Sequence, residues 1–314
     1  MNEVWTFIKK KLDASMNVVL LYVLESEGSS PGRKGFKMAV AADDDFCGTI
    51  GGGIMEFKSV EKAKNLLKQH ADTVLLMRQY HDKEHTHSQS GMICSGSQLN
   101  VFIPLKKINL ISKIENIIKA LEADAQITIQ LSPQGLDIVD QPAAGFKYSS
   151  PETWSYTELL NHRPVIHIIG GGHIGLALSE MMHFLGFHIK LYDDRPELNT
   201  IEANSFADEK FTIDYEKSGK SFVNVQNEYA VIMTIGYRTD KIVLRQLLDK
   251  DFFYLGLLGS QHKIETLFAE LKEEGISEDA LKKIYSPVGI EISSKTTHEI
   301  AVSIAAEIIK KKNA

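Results

Sequence analysis

Cysteine is scarce in this chain: two in 314 residues, Cys47 and Cys94, too few for a disulfide framework and at a spacing that matches no zinc pattern. Each is expected to be a free thiol. Long apolar runs are missing too, since no window approaches the ~20 apolar residues of a membrane-spanning helix, and no membrane partner is expected. The opening stretch is amphipathic and charged, without the apolar core or cleavage site of a secretory signal, so the expected location is the cytoplasm. Positive charge is not in excess: 35 Lys and Arg stand against 41 Asp and Glu, for a net charge of −6. With no basic stripe interleaved with aromatics, nucleic acid is not an expected partner. Internal repeats are absent.

What is present is the makeup of an ordinary soluble globular protein, 43% hydrophobic and 24% charged, long enough for two domains. In the first half, residues 17–26 and 36–42 read as strands around a loop carrying Arg33, Lys34 and Lys37. Three glycines, Gly51, Gly52 and Gly53, then open a helix on which Phe57, Val60, Ala63 and Leu67 suit a buried stripe. Strands follow at 73–80 and 98–104, separated by a polar, His-rich stretch whose His81, Asp82, Glu84, His85 and His87 read as a solvated loop rather than a metal site. A helix at 109–123 precedes a hairpin around Ser132-Pro133-Gln134-Gly135. Residues 140–164, rich in Pro, Ser and Gly, read as a connection. The expected domains are 1–155, mixed α/β, and 162–314.

The second half alternates strands with helices over 173–185, 240–250, 261–274 and 297–311. That order predicts a Rossmann-like, doubly wound parallel sheet. Its first turn carries Gly170, Gly172 and Gly175 in G-x-G-x-x-G spacing between an apolar strand and a helix, where backbone N–H groups can meet a phosphate. Asp193 closes the next strand, in the place from which an acid takes ribose hydroxyls, and Arg195 leaves NAD against NADP open. Gly259 and Ser260, with Lys263 nearby, lie at a strand's carboxyl end and are candidate phosphate contacts. Thr296 and Glu299 form a capping box before a helix striped with Ile300, Ile304 and Ile308. On these residues alone, an NAD(P)-dependent oxidoreductase is one open reading. Cys94 is either a small buried hydrophobe or a reactive thiol.

Taken in order, the blocks "GSSPGRKGFKM", "GTIGGGIMEF", "GMICSGSQLNVFIP", "IIGGGHIGLAL", "LGFHIKLYDDRPE", "YAVIMTIGYRTD", "YLGLLGSQHK", "SPVGIEI" and "TTHEIAVSIAAEII" carry a resemblance across nearly the whole chain. The sequence resembles the XdhC/CoxI family, accessory factors of xanthine dehydrogenase and related molybdenum hydroxylases. The resemblance implies a maturation chaperone more than a catalyst with its own turnover. It implies binding of the molybdenum cofactor (molybdopterin), support for its sulfuration with sulfur from a cysteine desulfurase, and delivery to a hydroxylase such as xanthine dehydrogenase; a homo-oligomer is expected.

Carried onto this chain, the resemblance puts Cys94 at the metal end of the cofactor, with Gly91 and Gly96 allowing close approach. Gly51, Gly52 and Gly53 become phosphate donors with Arg33 and Lys37 adding charge, and Glu56 a pterin or site-organising contact. Cys47 lies outside the matching blocks and is expected to be structural. The chain departs from the family at Ser95, where glycine is common, and at Gly53, where some relatives carry a second cysteine. It departs again at Thr234-Ile235-Gly236, where a Thr-His-Asp run is frequent, and at His298.

Overall fold

Alternation explains the first strand, whose Val18, Leu20, Tyr22 and Leu24 face one side and Val19, Leu21 and Val23 the other, all fully buried. In the computed structural model, which describes residues 3–80, 96–123 and 125–313, this strand is the centre of a sheet covered on both faces. The chain divides into two compact units, Met1–His162 and Arg163–Ala314.

Unit 1 runs α1 (Glu3–Asp13), β1 (Val18–Gly28), β2 (Lys37–Ala41), β3 (Phe46–Gly48), α2 (Gly53–Lys68), β4 (Leu75–Tyr80), β5 (Gly96–Leu105), α3 (Lys107–Glu122), β6 (Ile127–Ser132), β7 (Gly135–Ile138), β8 (Gly145–Ser150) and β9 (Thr153–Leu160). An antiparallel sheet has the order β3-β2-β1-β5-β4, and a second sheet the order β7-β6-β9-β8. Helices α1 and α3 pack on the even face of β1 through Trp5, Ile8, Leu12, Ile114 and Ile117. On the odd face α2 packs through Val60 and Ala63. Truncating one of these buried leucines to alanine costs about 2–5 kcal/mol.

Two expectations change here. Residues 140–164 are not a connection, because they hold β8 and β9, a hairpin turning at Pro151-Glu152. Its buried apolar residues are Trp154, Tyr156 and Leu160, with Phe146 half-buried beside them, while β8 is an edge strand with a polar, solvated side, so composition read as loop. Strand β9 therefore carries unit 1 past residue 155 to Leu160. Phe57, expected on the buried stripe of α2, is 65% exposed; the buried side is Met55, Ser59, Val60 and Ala63.

Unit 2 runs β10 (Val165–Ile169), α4 (His173–Phe184), β11 (His188–Asp193), α5 (Asn199–Glu202), β12 (Glu209–Thr212), a 3₁₀ turn at Tyr215–Ser221, β13 (Tyr229–Ile232), α6 (Tyr237–Leu247), β14 (Tyr254–Leu257), α7 (Gln261–Glu273), α8 (Glu278–Leu281) and α9 (Thr297–Lys312). All five strands are parallel in the order β12-β11-β10-β13-β14, with the chain reversing direction of winding at β10. One face is covered by α4 and α9, the other by α6 and α7. This is the doubly wound fold, whose switch point lies here at the carboxyl ends of β10 and β13, the place where open sheets of this kind bind ligands. The capping box of α9 is formed, Thr296 accepting from Glu299 N and Glu299 from Thr296 N.

Candidate functional site

In unit 1 the chain leaves β3 at Gly48 and enters α2 through Gly51, Gly52 and Gly53, at φ of 127°, 78° and 70°. Only glycine tolerates that run. A Cβ on Gly51 would lie 2.4 Å from Gly32 N, so this loop packs backbone against backbone on the β1–β2 loop, whereas the space beside Gly52 is open.

Glu56 organises the loop. Its Oε2 accepts from Thr49 Oγ1 at 2.6 Å, Ile50 N at 2.9 Å and Gly52 N at 3.0 Å, while Gly51 N donates to Thr49 Oγ1 at 3.1 Å. The expected phosphate donors of Gly51 and Gly52 are thus turned onto the protein's own side chains. What the loop presents outward is the first turn of α2, which has no side-chain cap.

Beneath the loop lies a row of polar side chains that sequence reading missed. Gln98 Oε1 accepts from Ser30 Oγ at 2.9 Å and Gly32 N at 3.2 Å; Gln98 Nε2 donates to Ile50 O at 2.9 Å and Asn100 Oδ1 at 2.7 Å. Asn100 then donates to Gln79, which reaches Ser59 on α2. Gln98 and Asn100 are fully buried and share one face of an otherwise apolar strand, the signal that could have revealed them.

Gly96, at the start of β5, pairs with Gly28, and a Cβ there would sit 2.5 Å from Glu27 O. Cys94, Gly91, Ser95 and the His81–His87 cluster lie outside the described residues. Cys47 is partly buried against the unit 1 core, and burial pushes its thiol up, which suits an inert packing role.

The loop cations divide. Arg33 is exposed and donates to Gly28 O at 3.3 Å. Lys37, expected to add charge for a phosphate, turns inward: it donates to Gly35 O at 2.9 Å and lies 5.0 Å over the Tyr22 ring, and burial lowers its ammonium pKa against the pull of Glu158. Glu158 in turn accepts from the hydroxyls of Tyr22 and Tyr156, both pushed up by burial.

In unit 2 two of the three motif glycines are required by close packing. A Cβ on Gly170 would meet Met233 O at 2.2 Å, and one on Gly175 would meet Gly170 O at 2.1 Å; Gly172 is open. Asp193 differs from expectation. Instead of facing a ribose it is fully buried, accepting from Gly171 N and from Arg195, and despite a desolvation cost those donors hold its carboxyl below the usual range.

Ser260 caps α7 by accepting from Lys263 N at 3.3 Å, and Gly259 packs against Ile264 and Lys263. Lys263 is paired with buried Asp240 and donates to Leu258 O at 3.1 Å, so it is not a free phosphate contact. Asp240 also accepts from Thr234 N at 2.8 Å and Thr234 Oγ1 at 2.6 Å. This cluster ties the loops after β13 and β14 together, a role the sequence did not reveal. Among the described residues no group of three or more His, Cys, Asp and Glu is placed to hold a metal, and no helix is long and apolar enough to cross a membrane.

Two family models match: the XdhC and CoxI family over residues 12–80 and the XdhC Rossmann domain over residues 166–308. Similar curated proteins include the uncharacterized protein YqeB of Escherichia coli, 24% identical over 99% of this chain and 46% of its own length. A probable xanthine dehydrogenase subunit of Bacillus subtilis is 28% identical over 49% of this chain and 45% of its own. The molybdenum cofactor insertion chaperone PaoD of Escherichia coli is 20% identical over 96% of this chain and 86% of its own. The chain spans just under half the length of the first two. Among solved structures, one described as a xanthine dehydrogenase from Bacillus halodurans superposes with a TM-score of 0.67 at 22% identity, covering 98% of this chain and 96% of the other, which shows a shared fold.

Proposed function

Because this chain belongs to the XdhC/CoxI family, we propose that it binds the molybdenum cofactor, supports its sulfuration, and delivers it to a hydroxylase of the xanthine dehydrogenase type. The observation that carries the reading is the near end-to-end alignment with a molybdenum cofactor insertion chaperone, across both units.

The residues fit such a cargo. A pterin phosphate needs close backbone approach and anion donors, and the loop after β3 offers an open, Cβ-free surface at Gly52 beside the uncapped first turn of α2. Exposed Arg33, on the neighbouring loop, adds positive charge. Glu56 and Gln98 hold the two loops in place. Cys94 supplies the soft sulfur ligand suited to the metal end, and Gly96 follows it where β5 begins against β1. The cofactor brings the molybdenum whose terminal oxo ligand is exchanged for sulfur. A cysteine desulfurase supplies that sulfur, and the finished cofactor passes to the apo-hydroxylase; in this role the chain turns over no substrate of its own.

Purification without oxygen from cells making the cofactor, followed by mass spectrometry of the denatured supernatant, tests the reading. A pterin released in proportion to protein supports it. Copurifying nicotinamide dinucleotide with reductase turnover supports an NAD(P)-dependent oxidoreductase instead.

A further inference from the structure

A carboxylate offers about four acceptor sites. At Asp193 four donors occupy them: Gly171 N at 2.7 Å, Arg195 N at 3.0 Å, Arg195 Nε at 2.8 Å and Arg195 Nη2 at 2.8 Å. Nothing remains for the ribose hydroxyls that an acid at this position takes in a dinucleotide fold. The neighbouring space is filled as well. Thr200 Oγ1 donates to the Gly171 carbonyl at 2.5 Å, and Ile201 Cγ1 sits 2.5 Å from where a Cβ on Gly171 would be. The segment from Asp193 to Ile201 therefore lies where an adenosine and its adjoining phosphate would have to go.

At the other end of the sheet the situation reverses. Beyond the carboxyl end of β14 a cavity of about 810 Å³ opens, within the range of small-molecule sites. Ile174, Leu258, Val288 and Ile292 make apolar walls, and Ser260 and Ser303 place hydroxyl-bearing residues among them. Among the described residues, Glu291 is the one ionisable residue in the lining. Walls without a cation disfavour a buried phosphate and suit an uncharged ring with polar edges.

We propose that unit 2 takes a ligand of mononucleotide size, its single uncharged heteroaromatic ring in this cavity, and that Arg195 is a specificity-determining residue which excludes dinucleotides by saturating Asp193. The ring belongs either to a mononucleotide or to a pterin phosphate. This site is built from residues of unit 2, so it stands or falls independently of the cofactor-delivery reading.

Calorimetric titration of the full chain with NAD⁺, NADP⁺, GMP and neopterin monophosphate tests it, the last two arms identifying the ring. GMP or the pterin phosphate binds at least tenfold more tightly than either dinucleotide. Ile292→Trp, filling the cavity from a half-exposed position, weakens that binding at least tenfold, and Ser294→Phe does the same should the first variant not fold. Arg195→Ala combined with Ile201→Ala frees both Asp193 and the space beside Gly171 and tightens NAD⁺ binding at least fivefold over Ile201→Ala alone. The proposal is overturned if a dinucleotide binds the unaltered chain as tightly as the single-ring phosphates, if no probe binds at millimolar concentration, or if folded cavity variants bind unchanged. A chain that copurifies with the molybdenum cofactor yet fails here keeps the proposed function and loses this site.

Discussion

Gln98 Nε2 lies 2.9 Å from the carbonyl oxygen of Ile50, so a fully buried amide on β5 holds the loop that leads into α2. The same side chain accepts from Ser30 and Gly32, which makes it the joint between two loops. Gln98→Leu leaves Ile50 O, Gly32 N and Asn100 without their partner, each unpaired buried group costing about 1–3 kcal/mol. Urea unfolding is expected to show a loss of about 3 kcal/mol. A loss under about 0.5 kcal/mol would remove Gln98 from that role.

Glu56 performs the second tie, from the helix side. Glu56→Ala releases three donors and is expected to weaken cofactor binding at least tenfold by letting the loop open, while Glu56→Gln keeps one acceptor oxygen and retains most of it. Binding titrations on both variants check this; equal losses would instead make the carboxylate charge a direct ligand contact.

Neighbouring glycines separate strain from collision. Gly52→Ala meets no atom, and its cost is the backbone, since φ 78° with ψ −175° is a region kept almost wholly to glycine, about 1–3 kcal/mol. Gly51→Ala adds a clash with the backbone at Gly32 and is expected to yield mostly insoluble protein. Comparable soluble yields and melting temperatures would contradict the packing of the two loops.

His167 sets a pH response in unit 2. Burial lowers its pKa, although Glu228 at 2.6 Å pulls the other way, so the neutral ring donates from Nε2 to Glu228 and accepts at Nδ1 from Tyr192 at 3.0 Å. The unfolded chain, with its ordinary histidine value near 6.5, then binds the proton more readily than the folded one. Stability is full above about pH 6.5 and declines as pH falls below it. Thermal unfolding between pH 8 and 5 should show that decline, and His167→Gln should flatten it; an unchanged slope would assign the response elsewhere.

Periodicity revealed the parallel sheet of unit 2, because strands such as Val165–Ile169 are buried on both faces and alternate with helices such as His173–Phe184 and Tyr237–Leu247 that carry one buried side. The β8–β9 hairpin stayed hidden for the opposite reason, being half solvated and rich in turn-forming residues. Motif spacing located the glycines of both loops, since their need for positive φ or close approach is written into the residue type. It could not show where their N–H groups point, which Glu56 and Asp193 decide through folds of the chain that bring them back onto the turns. Gln98 and Lys263 took roles set by partners far away in sequence, Ile50 and Asp240, that no local pattern announces.

Loading of an apo-hydroxylase by the cofactor-bearing protein, with and without each cysteine, is the most direct test of cofactor delivery. Cys47, partly buried against the unit 1 core, is expected to be dispensable: Cys47→Ala should load the hydroxylase as the unaltered chain does. Cys94→Ala should lower the recovered hydroxylase activity at least tenfold under the same anaerobic conditions. Full loading by Cys94→Ala would contradict the delivery role assigned to that thiol.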